Sequence, residues 1–295
     1  MSHYKTDASV RHGEGGSLIQ VETPDGGAGQ VLRPDVHRGA VALVTGGGTG
    51  IGRAVALDLA RSGADIVIAG RRLEPLQKTA AEIAAIGSRA LALSIDIRED
   101  DQVASMVDQS LEHFGRIDIL VNNAGGQFAA PAEEITSKGW RAVHRLAVDG
   151  TWSVTREVAV RAMIPQHAGV VFFMAFSPRR GIPSMVHASS ARAALENLAS
   201  GLALEWSRYG IRSICIAPGT LATEGMQQNY TAEDRAQWEA AVPLGRLGTA
   251  ADVSGVIAFL ASRAARYITG TTIVVDGGAD AWGTGHPAPP LQVQP

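Results

Sequence analysis

Cysteine is nearly absent: Cys215 is the single example in 295 residues. No disulfide can form within the chain, Cys-rich zinc sites are excluded, and no metal is expected. A reducing, cytoplasmic setting fits that count. Also missing is any uncharged apolar run of about 18 residues, so no membrane-spanning helix is expected. The first segment, Met1 to Arg38, lacks the apolar stretch of a secretory signal. Nor is there a surplus of charge of one sign. Lys and Arg number 26 against 29 Asp and Glu, a formal net charge of −3, which argues against nucleic acid as the partner because neutralising phosphates takes a basic surface. Aromatic residues are only 5% of the chain. Yet 45% of residues are hydrophobic and 19% charged, the balance of an ordinary globular protein able to bury a sizeable core.

Glycine and proline gather at the two ends. Gly13-Glu14-Gly15-Gly16 and Pro24-Asp25-Gly26-Gly27 mark residues 1–38 as a flexible N-terminal arm with one short strand at Leu18-Ile19-Gln20-Val21. Such an arm is either a mobile tail or a grip on a neighbouring subunit. Pro287, Pro289, Pro290 and Pro295 make residues 283–295 an extended tail. Residues 39–282 read as one domain without internal repeats.

Inside that domain short apolar runs alternate with amphipathic stretches. Strands are expected at Val41–Val44, Ile66–Ala69, Ala90–Leu93, Ile117–Val121, Val170–Met174, Ser213–Ala217 and Thr272–Val275. Ile51, Val55 and Leu59 share one helical face, as do Val103, Val107 and Leu111. Long helices are expected over Lys138–Met163, Ser189–Tyr209 and Ala250–Ser262. Continuous apolar strands alternating with helices give an α/β fold: a single doubly wound, Rossmann-like parallel sheet with helices on both faces.

The first strand runs into Thr45-Gly46-Gly47-Gly48-Thr49-Gly50-Ile51-Gly52 and then a helix. Glycines let backbone N–H groups approach a pyrophosphate, and the helix N-terminus adds positive potential. A dinucleotide is therefore expected against Gly46, Gly48, Thr49, Gly50, Ile51 and Gly52. The second strand ends in Ala69-Gly70-Arg71-Arg72, with no carboxylate for a free ribose 2′-hydroxyl; Asp65 lies at the strand's other end. Arg71 and Arg72 would instead meet a 2′-phosphate, each charge-assisted contact contributing about 1.5–3 kcal/mol, so NADPH is favoured over NADH. The alternative is two solvated arginines opening a helix. Asp96-Ile97, closing the third strand, can hold the adenine edge. Asn123, Ala124 and Gly125 after the fourth strand let the backbone pass close to the cofactor, and Pro218-Gly219 after the sixth fits the same edge.

At these residues the chain resembles the short-chain dehydrogenase/reductase family. The likeness runs from Gly39 to about Trp282 and rests on Thr45-Gly-x-x-x-Gly-Ile-Gly52, Asn122-Asn-Ala-Gly125, Gly210-Ile-Arg212, Pro218-Gly219 and Asp276-Gly-Gly278. Gly125-Gly126-Gln127-Phe128, Ser137-Lys138-Gly139-Trp140 and Ala203-Leu204-Glu205-Trp206 are similar to the branch of 2,4-dienoyl-CoA and peroxisomal trans-2-enoyl-CoA reductases. That branch reduces carbon–carbon double bonds of acyl-CoA thioesters with NADPH. The resemblance implies an acyl-CoA-like small molecule as substrate, a homo-oligomer (dimer or tetramer), and further cofactor contacts at Leu221, Thr223 and Arg192.

The same resemblance expects a catalytic Asn, Ser, Tyr and Lys. Those positions fall on Ala147, Phe176, Ala188 and Arg192, none of them the expected residue. Arginine holds its proton near neutral pH, so Arg192 can bind a ribose and stabilise negative charge but not act as an acid. Ketone reduction then lacks its usual acid, whereas reduction of an enoyl thioester needs only a stabilised enolate whose carbon takes a proton from water. The expected catalytic set is His187, Arg192 and Ser177, with Ser189 and Asp149 as weaker candidates. His187 is either a donor to the carbonyl or a packed histidine at a helix start. Arg179-Arg180 either bind CoA phosphates or form a solvated pair. The long segment Leu221–Val242, with Met226, Tyr230 and Trp238, either covers an apolar substrate or seals itself against the core. Two other functions stand beside the reductase: a cofactor-binding homologue with a non-redox or sensing role, and a carbonyl reductase whose relocated acid is His187.

Overall fold

The computed structural model describes residues 32–177, 179, 181–222 and 231–282, with backbone alone for 232–235. The strand expected at Leu18–Val21, the proline-rich tail, Arg180, Thr223, Met226 and Tyr230 lie outside the described residues.

The strands are β1 (Val41–Thr45), β2 (Asp65–Gly70), β3 (Ala90–Ser94), β4 (Ile119–Asn122), β5 (Gly169–Met174), β6 (Ile211–Pro218) and β7 (Thr271–Val275). They form one seven-stranded sheet in the order β3-β2-β1-β4-β5-β6-β7, every pairing parallel. The expected doubly wound sheet is therefore present. Successive side chains of a strand face opposite sides. Val41 and Leu43 accordingly join one core cluster with Val103, Val107, Val158 and Leu195, while Ala42 and Val44 join another with Val55, Leu59 and Ile257. Both sheet faces are sealed by helices, which is why these strands read as unbroken apolar runs.

Helices α1 (Gly50–Arg61), α2 (Leu73–Ile86) and α3 (Asp100–Phe114) cross between the first four strands. The helix expected over 138–163 is longer and irregular. It comprises α4 (Ser137–His144), α5 (Gly150–Val158) and α6 (Ile164–Gln166), joined through π-turns at Arg145–Asp149 and Ala159–Met163. An apolar spacing pattern does not register one extra residue in a turn, so neither π-turn is visible in the sequence. Then come α7 (Val186–Trp206), α8 (Ala232–Ala240), α9 (Ala250–Ala261) and the short α10 (Ala279–Trp282). Helix α7 begins three residues before the expected Ser189, whose hydroxyl donates back to the Met185 carbonyl at 3.0 Å.

Residues 32–38, which composition groups with the arm, pack against the domain. The chain turns so that His37 is buried and its Nε2 lies 3.0 Å from the Ala258 carbonyl of α9. Burial holds the imidazole pKa below its ordinary value. The folded state thus keeps His37 neutral while the unfolded chain takes up a proton near pH 6.5, so stability is full above that pH and falls as pH drops below it. The expected slope is at most about 1.4 kcal/mol per pH unit for this group. Urea midpoints between pH 7.5 and 5.5 check it: the decline should shrink in His37→Gln, and an unchanged slope would remove His37 as its source.

Candidate active site

The carboxyl ends of the strands carry the site, where open α/β sheets bind ligands. Its floor is the junction of β1 and β4, the point at which strand order reverses. Asn123 ties this junction together. Its side-chain amide donates to the Thr45 carbonyl at 3.0 Å and the Gly46 carbonyl at 3.2 Å. The Thr45 hydroxyl accepts the backbone N–H groups of Asn123 and Ala124 at 3.1 and 3.0 Å.

Two glycines in the loop have no substitute. Gly46 takes φ +67°, and a Cβ there would lie 2.8 Å from the Asn123 amide nitrogen. A Cβ on Gly52, at the start of α1, would overlap the Gly46 carbonyl oxygen and the Asn123 amide. The chain therefore turns back on itself as tightly as bare backbone allows, and Thr49 stands at the N-cap of α1 without using its side chain as a cap. Above this turn lies a cleft of about 370 Å³ lined by Gly46, Gly48, Thr49 and Ile51 together with Arg71, Arg72, Asp96, Ile97, Asn123, Ala124 and Gly125. Sequence positions 50 residues apart thus meet around one groove. The Asp96 carboxylate is already engaged, accepting from Arg98 Nε at 2.9 Å, and this partner holds its pKa below the usual carboxylate range.

Ile51, Asn123 and Gly125 are shared with a second, inner compartment of about 260 Å³, to which Gln127, Phe176, Arg192, Pro218, Gly219 and Leu221 contribute. Arg192 dominates it. The guanidinium reaches from α7 under β5, where Nη1 donates to the Met174 carbonyl at 2.6 Å and the group stacks 5.1 Å from the Phe176 ring centroid. Gly125 makes this reach feasible, since a Cβ there would overlap Nη2. No carboxylate among the described residues pairs with Arg192, and burial pushes its pKa down to about 10. It is therefore a charged, desolvated group at neutral pH, open to the inner compartment on one side.

Beside it, Phe176 backs onto an apolar cluster. Ala147, Ala188, Val143 and Ala191 form one buried cluster, with Phe176, Val148 and Met185 packed on it. The three apolar residues that the resemblance lays on the catalytic Asn, Ser and Tyr positions, namely Ala147, Phe176 and Ala188, thus meet in space. Ala147 sits in the first π-turn, and Asp149 at the end of that turn is exposed.

The other candidate side chains are placed differently. The Ser177 hydroxyl donates to Asp276, whose carboxylate also accepts the Gly278 N–H at 2.8 Å and the Asp280 N–H at 2.6 Å, so Ser177 latches the loop after β5 to the C-terminal turn. His187 is fully buried on the first turn of α7, beneath Phe128. Arg179 is held by Glu196 at 3.2 Å and Asp280 at 3.4 Å, which leaves it committed within the protein rather than free for a CoA phosphate. Trp238 packs on Val242 and Leu247, sealing that end of the segment. The Phe176 wall, the Met174 carbonyl and the Asp276 latch were not readable from sequence. Gly125 was the one signal, because a glycine beside an arginine slot marks where a side chain must pass.

The family profile described as Enoyl-(Acyl carrier protein) reductase matches residues 46–280. A peroxisomal 2,4-dienoyl-CoA reductase of Danio rerio is 37% identical over 254 residues, covering 84% of each chain. The chain belongs to the short-chain dehydrogenase/reductase family. Among solved structures, a citronellol catabolism dehydrogenase of Pseudomonas aeruginosa PAO1 superposes with a TM-score of 0.76 at 37% identity, covering 85% of this chain and 98% of that one. A short chain dehydrogenase from Bacillus anthracis gives a TM-score of 0.74 at 34% identity over 82% of this chain and 96% of its own. The chain is thus similar to oxidoreductases along nearly the whole of the domain. No helix among the described residues is long and apolar enough to cross a membrane.

Proposed function

We propose that this protein is an NADPH-dependent reductase of an activated carbon–carbon double bond, acting on an enoyl-CoA-like thioester. The observation that carries the proposal is Arg192: a buried cation without a carboxylate partner among the described residues, beside a pocket where Phe176, backed by Ala147 and Ala188, offers no proton donor for ketone chemistry. The 2,4-dienoyl-CoA reductase named above supports the same substrate class.

The residues present fit a dinucleotide. Gly46 and Gly52 let the loop close on itself and on Asn123 without a Cβ between them, and the open N-terminus of α1 offers N–H groups to a pyrophosphate. Arg71 and Arg72 border the outer cleft for a 2′-phosphate, Asp96-Ile97 face the adenine, and Pro218, Gly219 and Leu221 line the nicotinamide end. When bound, the cofactor supplies a hydride for the β-carbon of the substrate. Arg192 holds ribose hydroxyls and sets a positive potential where the enolate charge develops; with its pKa near 10 it donates hydrogen bonds and keeps its proton. The cluster of Ala147, Ala188 and Phe176 offers no acid. The α-carbon takes its proton from solvent. Ser177, turned to Asp276, orders the loop that places Phe176 and acts on the site through it.

Incubating the enzyme with NADPH and a panel of enoyl-CoA and 2,4-dienoyl-CoA thioesters tests this reading, with loss of nicotinamide absorbance as the expected result. Tight NADPH binding without turnover of any of them would instead favour a sensing role for the same pocket. Cofactor choice has its own test. Replacing both Arg71 and Arg72 with Ala should weaken NADPH binding by about 10–100-fold while leaving NADH binding nearly unchanged. Equal losses for the two cofactors would remove the 2′-phosphate assignment. A homo-oligomer belongs to the same proposal, on the strength of the family resemblance.

A further inference from the structure

We propose that His187 is the donor that meets the carbonyl oxygen of the thioester, and that Phe128 is a removable cover over it. The inference rests on the reductase reading above and names the group that reading leaves open.

His187 has no solvent exposure, and neither ring nitrogen has a hydrogen-bond partner among the described residues. A buried polar group left unpaired is destabilising, and an apolar side chain of similar volume would serve the fold better. The residue is thus ill suited to packing and well suited to a ligand that completes its hydrogen bonds. Its lid is thin. The Phe128 ring lies 4.4 Å from the imidazole, tilted by 45°, and Phe128 is itself 42% exposed. Phe128 follows Gln127, a wall residue of the inner compartment, and Ala188, next to His187, packs with Phe176 of the same wall. The imidazole is thus covered by the neighbour of a pocket residue and stands on α7 five residues before Arg192.

Room for the ring is built in. A Cβ on Gly139 of α4 would lie 2.9 Å from Phe128 Cζ. The loop bearing Phe128 is pinned farther on, where the Ala130 N–H donates to the Ser184 carbonyl at 2.9 Å, so the ring can turn about its own side-chain bonds without moving the loop. Trp140, stacked 4.4 Å from His144, and Val186 add exposed apolar surface beside it, suited to an acyl chain. Burial and the neighbouring His144 hold the His187 pKa down, which keeps the ring neutral with one N–H to give.

The electrons balance without a protein acid. Hydride forms the new C–H bond at the β-carbon as the α,β double bond opens, and the electron pair moves through the α-carbon onto the carbonyl oxygen. There the His187 N–H donates a hydrogen bond and keeps its proton. A solvent proton then adds to the α-carbon as the carbonyl re-forms, leaving a saturated thioester and oxidised cofactor.

The test uses the full chain. His187→Leu should lower kcat/KM for trans-2-hexenoyl-CoA by about 100-fold, the effect of losing one oxyanion donor, while the NADPH Kd stays within about twofold. The same variant should melt about 2–4 °C higher, because an unsatisfied buried group has been removed. His187→Gln, which keeps an N–H, should recover a substantial part of the lost rate. A His187→Leu enzyme within about threefold of the parent would overturn the proposal. A readout free of turnover separates this from the function itself: ring-nitrogen NMR shifts of His187 should move when hexanoyl-CoA joins the enzyme and NADP⁺. Unmoved shifts would sink the His187 assignment alone, whereas a parent enzyme that reduces no thioester would sink the reductase reading.

Discussion

Arg192→Met is expected to lower kcat/KM for an enoyl thioester by about 10²–10³-fold, the loss of roughly 2.7–4 kcal/mol of transition-state stabilisation. The reason lies in where the charge sits. Arg192 is buried, has one hydrogen bond to the protein, through the Met174 carbonyl, and has no carboxylate among the described residues to neutralise it. A desolvated cation acts on a developing enolate more strongly than a solvated one would. Methionine follows the unbranched stem of arginine about as far as Nε and leaves only the space of the guanidinium head beside Gly125 empty, so the fold should survive. It leaves the Met174 carbonyl without its donor, which costs about 1–3 kcal/mol, but it also removes a desolvated charge, which offsets that loss. The melting temperature should accordingly change far less than the rate. Arg192→Lys keeps the charge on a shorter, more strongly hydrated group and should retain more activity than the Met variant. Steady-state kinetics beside thermal melts decide the matter. A Met variant with parental kcat/KM would show that the charge serves packing alone.

The second large effect concerns the loop. Gly52→Ala should weaken NADPH binding by more than about 100-fold, or about 2.7 kcal/mol, while the circular dichroism spectrum stays native. A methyl group at this position overlaps the Gly46 backbone as well as the Asn123 side chain, and the backbone cannot simply swing aside. Gly46 must retreat, the Asn123 amide loses its hold on the Thr45 and Gly46 carbonyls, and the first-turn N–H groups of α1 shift from their target. Gly201→Ala is the control. Gly201 is exposed within α7, with nothing near its would-be Cβ, and the change should leave binding intact and slightly favour the helix. Parental NADPH affinity in Gly52→Ala, measured by fluorescence titration, would disprove the pyrophosphate role of the loop.

The fold was almost fully legible in the sequence because a two-sided parallel sheet writes itself as apolar runs. All seven expected strands are present, and their ends move by two residues or fewer. Where the reading failed, geometry rather than hydrophobicity made the difference. The π-turns that place Ala147 do not alter the apolar spacing of their helix. The fourth strand begins at Ile119, not Ile117, because the Ile117 backbone is taken by the Gln166 side chain, whose amide accepts the N–H at 3.2 Å and donates to the carbonyl at 2.9 Å.

Within the candidate site, the lining of the outer cleft was readable and the surroundings of the catalytic candidates only half so. Glycines and the Arg71-Arg72 pair have local meaning, fixed by where a strand ends. The catalytic side chains depend on rotamers across three elements. Ser177 turns to Asp276, 99 positions away, and Arg179 to Asp280, 101 positions away, partners that no local pattern announces. Conversely, three small or apolar residues at expected polar positions were noted one by one, but that they touch one another emerged only from the fold.

The seam between β1 and β4 bears on how the protein assembles. Ala42 pairs with Ile119 and Asn123 bonds to Thr45, so the floor of the cleft joins segments almost eighty positions apart. Such a closure is expected to follow that of β1 on β2, whose partners stand only 24 positions apart, because a longer loop must give up more entropy before the contact rewards it. No partly folded chain therefore holds a complete dinucleotide cradle. A ligand of that cradle binds the finished sheet alone, and at about 100 times its Kd it should deepen the folded well by roughly 2.7 kcal/mol. Cofactor supply would then govern the lifetime of the protein in the cell as directly as it governs turnover.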